Sequence, residues 1–159
     1  MERHAAAPPN RPASDTGLSL RAAFRNWWDN LLPPRPLGER GEAVAAQYLR
    51  RQGYKIIACG VRAKWGEIDL VAVDGRTVVF VEVKTRQSGE AGHPAEAVTP
   101  EKQRRITRTA VGYLKRHGLL EYRARFDVIA ITWPAGRGKP TIEHFRDAFE
   151  PIGLNGFYS

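Results

Sequence analysis

The sequence predicts an α/β fold in which a mixed β-sheet is flanked by helices. Two segments place apolar side chains at helical spacing, and five others are strand-like runs rich in Val, Ile and Phe. Their order along the chain, α-β-β-β-α-β-β, is typical of a mixed α/β sheet. With 159 residues, of which 42% are hydrophobic, the chain can bury one core. We therefore expect one main domain over residues 37–159.

Residues 1–36 are a predicted N-terminal extension with three parts. Residues 1–17 are rich in Ala, Pro and Ser and lack a hydrophobic period, which predicts disorder. Residues 18–32 predict a short amphipathic helix, which docks on its own domain or else on a partner or a membrane interface. Residues 33–36, PPRP, predict a linker that stops this helix. The apolar positions of the helix are Leu20, Phe24, Trp27, Trp28 and Leu31.

Two helices are predicted in the main domain. The first covers residues 39–52, and Gly53 is its natural stop. The second begins after Thr99, a suitable N-cap, with Pro100 at its first position, and it ends at Gly118. Its apolar stripe consists of Ile106, Ala110, Tyr113 and Leu114.

The five predicted strands are KIIACGVR, GEIDLVAV, TVVFVEVKT, RFDVIAITW and TIEHF. The second and third are joined by Asp-Gly-Arg, which indicates a hairpin. Residues 87–98 are predicted to be a loop. The short last strand is expected to pair with the fourth.

Charged side chains interrupt the apolar hairpin. Because side chains alternate along a strand, Glu67 and Asp69 share one face of the second strand, and Glu82 and Lys84 share one face of the third. A turn centred between Gly75 and Arg76 would place Asp69 opposite Glu82, whereas a two-residue Asp74-Gly75 turn would place Glu67 there. In either register an acid of the second strand faces Glu82.

Facing carboxylates repel each other, and a divalent cation removes that cost. Mg²⁺ prefers oxygen ligands, often one or two carboxylates with waters and substrate phosphates. Lys84 lies about 7 Å beyond Glu82 on the same face of the strand, where it could meet charge developing on a phosphoryl oxygen. This set is the minimum for metal-assisted phosphodiester hydrolysis. The alternative is a salt-bridged, solvent-facing strand pair.

A net charge of +8 favours an anionic partner, nucleic acid first and an acidic membrane surface second. Basic side chains cluster on the second helix and beside the hairpin, although a solvated helix face is the alternative for any one of them. Trp65, beside the acidic strand, could stack on an exposed base, but a packing role is favoured. The candidate nucleic-acid-binding residues are Arg62, Lys64, Arg86, Lys102, Arg104, Arg105 and Arg108.

Several classes of protein are disfavoured by composition. The single Cys59 excludes an intrachain disulfide framework and a Cys-cluster zinc site. No apolar run approaches the roughly 20 residues of a membrane span, and the N-terminus lacks a signal-peptide core. We therefore expect a cytoplasmic protein without stable membrane insertion.

The motifs together resemble a known superfamily. GEIDL followed by FVEVK is similar to the PD-(D/E)-x-K nucleases, which have restriction-endonuclease-like and Holliday-junction-resolvase-like folds. More closely, the succession of motifs over residues 37–145 resembles the YraN family of bacterial proteins. Ile68 stands where the superfamily motif has Pro. The matching segments are GERGEAVAAQYL, GVRAKWGEIDLVAVDG, VVFVEVKTR, EKQRRI and RFDVIAI.

The resemblance implies roles for residues at matching positions. Asp69 and Glu82 would be ligands of Mg²⁺ or Mn²⁺, with the backbone carbonyl of Val83 as a third ligand. Lys84 would be the catalytic lysine. Glu42 matches the helix acid that lies near the metal in resolvase-like relatives, where it acts directly or through water.

The function expected from these observations is a metal-dependent nuclease that acts on DNA, with branched or single-stranded DNA as candidate substrates. One alternative is a non-catalytic nucleic-acid-binding or adaptor protein that keeps the fold. Another is a membrane-associated interaction protein that uses the Trp-rich helix. A homodimer is left open by the sequence.

Overall fold

The computed structural model describes residues 37–89 and 98–153. The predictions of a disordered tail, an amphipathic helix and a Pro-rich linker concern residues outside this part of the chain. Most of the predicted loop over residues 87–98 also lies outside it.

Two helices and five strands follow one another in the predicted order, so the predicted fold class is confirmed. Helix α1 starts two residues earlier than predicted, and the fourth strand also begins two residues earlier. The elements are α1 (Leu37–Arg51), β1 (Lys55–Ala63), β2 (Gly66–Asp74), β3 (Thr77–Gln87), α2 (Pro100–Arg116), β4 (Arg123–Trp133) and β5 (Thr141–Phe149).

The strands form a single sheet in the order β1-β2-β3-β4-β5. All neighbouring pairs are antiparallel except β3 and β4, which run parallel. A parallel pair needs a crossover connection, and α2 lies in that connection. The carboxyl end of β3 and the start of α2 therefore belong to one connection.

Alternating side chains of β3 supply two cores, one on each side of the sheet. Val79 and Val81 pack with Leu49 in the core under α1. Val78 and Phe80 pack with the apolar stripe of α2 in the second core. Since both faces of β3 are covered, its uninterrupted apolar run from residue 78 to 81 is explained.

Helix α2 begins as its sequence predicts. The Thr99 hydroxyl accepts a hydrogen bond from the Lys102 backbone N–H at 3.3 Å. The Gln103 side-chain amide donates to the Val98 carbonyl at 3.0 Å. These contacts hold the first turn of α2, which carries Lys102, in a defined place.

The last strand is longer than predicted, because β5 continues through RDAF to Phe149. This extension lacks apolar alternation: polar contacts hold Arg146 and Asp147, and Phe149 stacks on Phe126 of β4 with ring centroids 4.9 Å apart. Asp147 has a positive φ of 53° at a shift in register with β4. Its backbone N–H donates to Asp127 Oδ1 at 3.0 Å, while Arg146 contacts Asp74 at 2.8 Å.

Asp127 is the fully buried centre of this polar network. It accepts from Arg125 Nε at 3.0 Å and lies 2.9 Å from His144 Nε2. Arg125 extends the network to Asp74 at 3.0 Å and to the Tyr54 hydroxyl at 2.8 Å. Burial acts to raise the pKa of Asp127, but these hydrogen bonds outweigh it and hold the pKa below its ordinary value.

Replacing Asp127 should therefore destabilise the fold strongly. Asp127→Ala leaves the Arg125 guanidinium half-buried without its main partner, so we expect unfolding free energy to fall by about 3–5 kcal/mol. The matched control Glu121→Ala, at an exposed carboxylate, should change it by no more than about 0.5 kcal/mol. Urea unfolding at pH 7 measures both.

The same pair of proteins has a predicted pH dependence. Because the folded-state pKa of Asp127 is depressed, its stabilisation is present above about pH 4 and is lost as the pH falls through the folded-state value. The difference between wild type and Asp127→Ala should therefore shrink in acid. A difference that stays constant down to pH 3 would contradict this assignment.

Candidate active site

The β2–β3 hairpin turns at Gly75 and Arg76, with Asp74 paired to Thr77. Gly75 has a φ of 60°, which glycine adopts without strain. The pairing continues to Leu70 opposite Val81. Of the two registers that the sequence allowed, this is the one that brings Asp69, and not Glu67, towards Glu82.

At Asp69 the regular pairing of β2 with β3 ends. The next available donor of β3, the Val83 backbone N–H, donates to Asp69 Oδ2 at 2.7 Å. Ile68 packs in the core under α2 and Leu70 in the core under α1, although residues two apart in a regular strand share a face. The simple alternation predicted for β2 therefore breaks at Asp69. Its carboxylate accepts the hydrogen bond from β3 that a backbone carbonyl of β2 would accept in a regular pair.

Glu82 is 4% exposed and contacts two lysines through one oxygen. Its Oε1 lies 2.9 Å from Lys84 Nζ and 2.5 Å from Lys102 Nζ. Lys84 is the lysine that the sequence assigned to this site. Lys102, which the sequence grouped with the nucleic-acid-binding residues, reaches the site from the first turn of α2. Burial acts to lower the pKa of Lys102, but its hydrogen bond to Glu82 raises it.

Local sequence carries no signal for this position of Lys102. Its neighbours Arg104 and Arg105 are exposed, and all three belong to one basic run. Only the crossover from β3 to β4, which sets the start of α2 near the end of β3, distinguishes Lys102 from them.

Asp69 has an unusual charge environment. Burial raises its pKa, the nearby Glu82 carboxylate raises it further, and the hydrogen bond from Val83 partly offsets both, leaving a pKa of about 6. The folded protein therefore disfavours ionised Asp69, although at neutral pH most of the population is charged. A cation beside Asp69 would lower this cost.

Glu42 approaches the same region from α1. Burial raises its pKa, and the charges of Glu67, Glu39 and Glu82 act in the same direction. The helix is placed by Gly41, where any Cβ would overlap the Thr85 hydroxyl of β3. A glycine is thus required next to Glu42 for α1 to approach β3 this closely.

The acids do not form a closed cage. Among the residues that the structure describes, no three His, Cys, Asp or Glu side chains lie at spacings suited to one metal ion. Asp69 and Glu82 are adjacent, and Glu42 is within electrostatic range of both. A metal would therefore rely on two carboxylates, with backbone and water oxygens completing its shell.

The other basic candidates lie around the site. Arg62 is 85% exposed and is 3.6 Å from Glu67, a separation of little energetic value. Lys64 is exposed and Arg86 is half-buried. A surface depression is formed by α2 and the turn between β1 and β2; its lining consists of Trp65, Glu101, Arg104, Arg105 and Arg108.

Trp65 is both packed and partly exposed, so it meets the requirements of the two roles that the sequence left open, packing and stacking on a base. It is 40% exposed, and its ring lies against α2, 3.6 Å from where a Cβ of Gly112 would be. One edge is therefore packed while the rest is accessible from the depression. Arg105 pairs with Glu101 one helical turn earlier.

No helix within residues 37–89 and 98–153 is long and apolar enough to cross a membrane.

Neutralising Asp69 should stabilise the protein. Asp69→Asn removes the repulsion with Glu82, while its amide oxygen can still accept the Val83 N–H. Because the folded-state pKa is raised to about 6, wild-type stability should fall as the pH rises from about 4 to 6. Above that range we expect Asp69→Asn to be more stable by about 2–3 kcal/mol, measured by urea unfolding without divalent cations.

Below pH 4 the difference should disappear, because Asp69 is then protonated in both the folded and the unfolded state. Glu67→Gln, at an exposed carboxylate of the same strand, is the control and should show little change at either pH. An advantage of Asp69→Asn that is equal at pH 4 and pH 8 would refute the electrostatic explanation.

Two glycines of α1 provide a matched test of helix placement. Gly41→Ala should cost about 1–3 kcal/mol because the new methyl group meets Thr85. Gly38→Ala, where a Cβ meets nothing within 4 Å, should be neutral or stabilising by about 0.5 kcal/mol. Equal effects of the two substitutions in thermal unfolding would show that α1 does not depend on this contact.

Comparisons with known proteins match the region that contains the site. The model of the family described as "Uncharacterised protein family UPF0102" matches residues 41–131. A UPF0102 protein of Rhodopirellula baltica is 50% identical over 125 residues, which cover 77% of this chain and 75% of the relative. One of Geobacter sulfurreducens is 54% identical over 114 residues, covering 72% and 88%. One of Geotalea uraniireducens is 48% identical over 116 residues, covering 73% and 91%.

The family match includes most of α1, the whole acidic hairpin, α2 and most of β4, so it contains every residue of the site. The chain belongs to the UPF0102 family, which is the YraN family of the restriction-endonuclease-like superfamily.

Proposed function

We propose that this protein is a Mg²⁺- or Mn²⁺-dependent endonuclease that hydrolyses phosphodiester bonds of DNA, with branched or single-stranded DNA as favoured substrates. One observation carries the proposal. Asp69 and Glu82 come together where β2 leaves β3, and Lys84 lies 2.9 Å from Glu82 at that junction. This is the arrangement that metal-assisted attack on a phosphodiester requires.

The residues present fit a hard divalent cation. Asp69, Glu82 and the Val83 carbonyl offer only oxygen ligands, which Mg²⁺ and Mn²⁺ prefer. The N–H and C=O of a strand residue point to the same side of the strand. Because the Val83 N–H donates to Asp69, the Val83 carbonyl is also directed towards that side. The raised pKa of Asp69 supports the fit, because burial and the neighbouring Glu82 carboxylate make its negative charge costly and a cation would lower that cost. When bound, the metal would supply Lewis-acid stabilisation and a more acidic water.

The chain's own side chains have distinct tasks in this proposal. Lys84 is oriented by Glu82 and donates to the phosphoryl oxygen on which negative charge develops. Glu42, on the facing helix, orients the attacking water or accepts its proton. Asp69 fixes the edge of β3 by accepting the Val83 N–H. Glu82, Val83 and Lys84 are therefore held on one rigid strand.

The exposed arginines of α2 would bind the DNA backbone. Arg104 and Arg108 line the depression beside Trp65, and Lys102, in the same helix, reaches Glu82. Phosphate contacts of this kind are largely independent of sequence. The proposed substrate is therefore recognised by its shape or its ends.

A second candidate is a non-catalytic nucleic-acid-binding or adaptor protein. It is favoured by the pairing of Glu82 with two lysines, since this pairing balances the buried charge without any metal. In that case the arginine surface would act alone.

Two sets of substitutions separate chemistry from binding. Lys84→Ala should lower metal-dependent cleavage by about 10²–10³-fold, because a donor aimed at developing charge is lost. Replacing Arg104, Arg105 and Arg108 together by Ala should instead weaken binding to every DNA sequence and flatten its salt dependence by roughly one unit per lost phosphate contact. The assay uses four DNA substrates, each with Mg²⁺ or Mn²⁺ added: linear, single-stranded, flapped and four-way DNA.

Binding across a salt series should change little in Lys84→Ala, which keeps all three arginines. Robust cleavage by Lys84→Ala would refute the catalytic assignment. DNA binding by wild type without cleavage by either metal would favour the adaptor function.

A further inference from the structure

Glu82 holds a second lysine that the proposed chemistry does not use. Lys102 Nζ lies 2.5 Å from the same Oε1 that Lys84 contacts at 2.9 Å. Glu82 is 4% exposed, so its charge is poorly solvated and depends on these partners. An incoming cation must therefore compete with ammonium groups for this carboxylate.

The two lysines are not equally placed for that competition. Lys84 is on the same strand as Glu82, two residues away, and is 22% exposed. Lys102 reaches across from α2 and is 38% exposed. Its backbone is held by the Thr99 cap in α2, so its partly exposed side chain can leave Glu82 without any change in the sheet.

Charge balance decides when Lys102 would leave. The two proposed metal ligands, Asp69 and Glu82, carry two negative charges, and the two lysines that contact Glu82 carry two positive charges. A divalent cation bound to both acids would give the site an excess of two positive charges, which repels Lys102 from Glu82. The same excess attracts a phosphodiester, which offers Lys102 a new anionic partner within reach of the site.

We propose that Lys102 is an exchangeable counter-ion of the site: it occupies Glu82 while no metal is bound, competes with the metal for that carboxylate, and moves to a phosphate of the DNA when the metal binds. This inference rests on the proposed function: on its metal site for the competition, and on its DNA substrate for the last step. Lys102 thereby links metal binding to DNA binding.

The competition is tested by titrating Mn²⁺ into the purified full chain without DNA, at pH 7.5, by calorimetry. Lys102→Met keeps the apolar stem and removes the charge, so its Mn²⁺ affinity should rise by about threefold to tenfold over wild type. Lys102→Arg keeps a positive charge and should stay near wild type. Lys115→Met, which removes an exposed lysine near the end of α2, controls for net charge.

An unchanged or weaker Mn²⁺ affinity in Lys102→Met would overturn the inference, as would equal tightening in Lys115→Met. Thermal unfolding of each variant verifies that it is folded. Binding by Lys102→Met under conditions in which wild type binds no Mn²⁺ would support the competition in its strongest form. Absence of binding in both proteins would overturn it.

The second step is tested by single-turnover cleavage at Mn²⁺ concentrations that saturate each variant. Cleavage by Lys102→Met should be slower despite its tighter metal binding, and Lys102→Arg should restore most of the rate. Cleavage by Lys102→Met at the wild-type rate would refute the transfer to phosphate. If wild type cleaves no DNA while Lys102→Met still binds Mn²⁺ more tightly, the proposed function fails but the counter-ion role stands.

Discussion

The structure of the site depends on one hydrogen bond, from the Val83 N–H to the Asp69 carboxylate at 2.7 Å. The Gly75-Arg76 turn sets the register of the hairpin. Regular pairing of β2 with β3 ends at Leu70 and Val81. Asp69 then takes over the edge of β3 that β2 no longer covers. An apolar residue at position 69 would leave that N–H without this acceptor, which is costly in a half-buried strand. The acid therefore has a structural task as well as a chemical one.

One buried and one half-buried aspartate in the same sheet show how the fold distributes stability. Asp127 is fully buried, yet several donors converge on it and keep its pKa low. Asp69 receives one backbone donor and faces another carboxylate, so its pKa is raised to about 6. Both carboxylates are withdrawn from bulk water. The number of hydrogen-bond donors around each one decides whether its pKa is raised or lowered. The charges around Asp127 therefore stabilise the fold. The site around Asp69 and Glu82 retains an electrostatic cost that a cation can relieve.

Helix α2 performs three tasks because its faces meet different surroundings. Ile106 and Ala110 pack against the sheet, Lys102 enters the site from the first turn, and the arginines face the depression beside Trp65. The crossover between the parallel strands β3 and β4 explains this combination, since it carries α2 past the end of the strand that holds Glu82 and Lys84. The UPF0102 family match covers these residues, and the proposed nuclease activity rests on the chemistry of the site.

The sequence by itself determined the element order, the hairpin, the Thr99 cap and the approach of an acid of β2 to Glu82 and Lys84, because these follow from periodicity and short spacings. It left the hairpin register open between Asp69 and Glu67, since both turns suit the same residues. The length of β5 was missed because Arg146 and Asp147 are held by Asp74 and Asp127 rather than by an apolar pattern, which leaves Phe149 alone to pack on the core. Lys102 was separated from the site, and the network around Asp127 was not foreseen, since each joins residues far apart in the chain. Tertiary structure alone decided these contacts, because the solvation and pairing of a charge depend on which distant elements surround it.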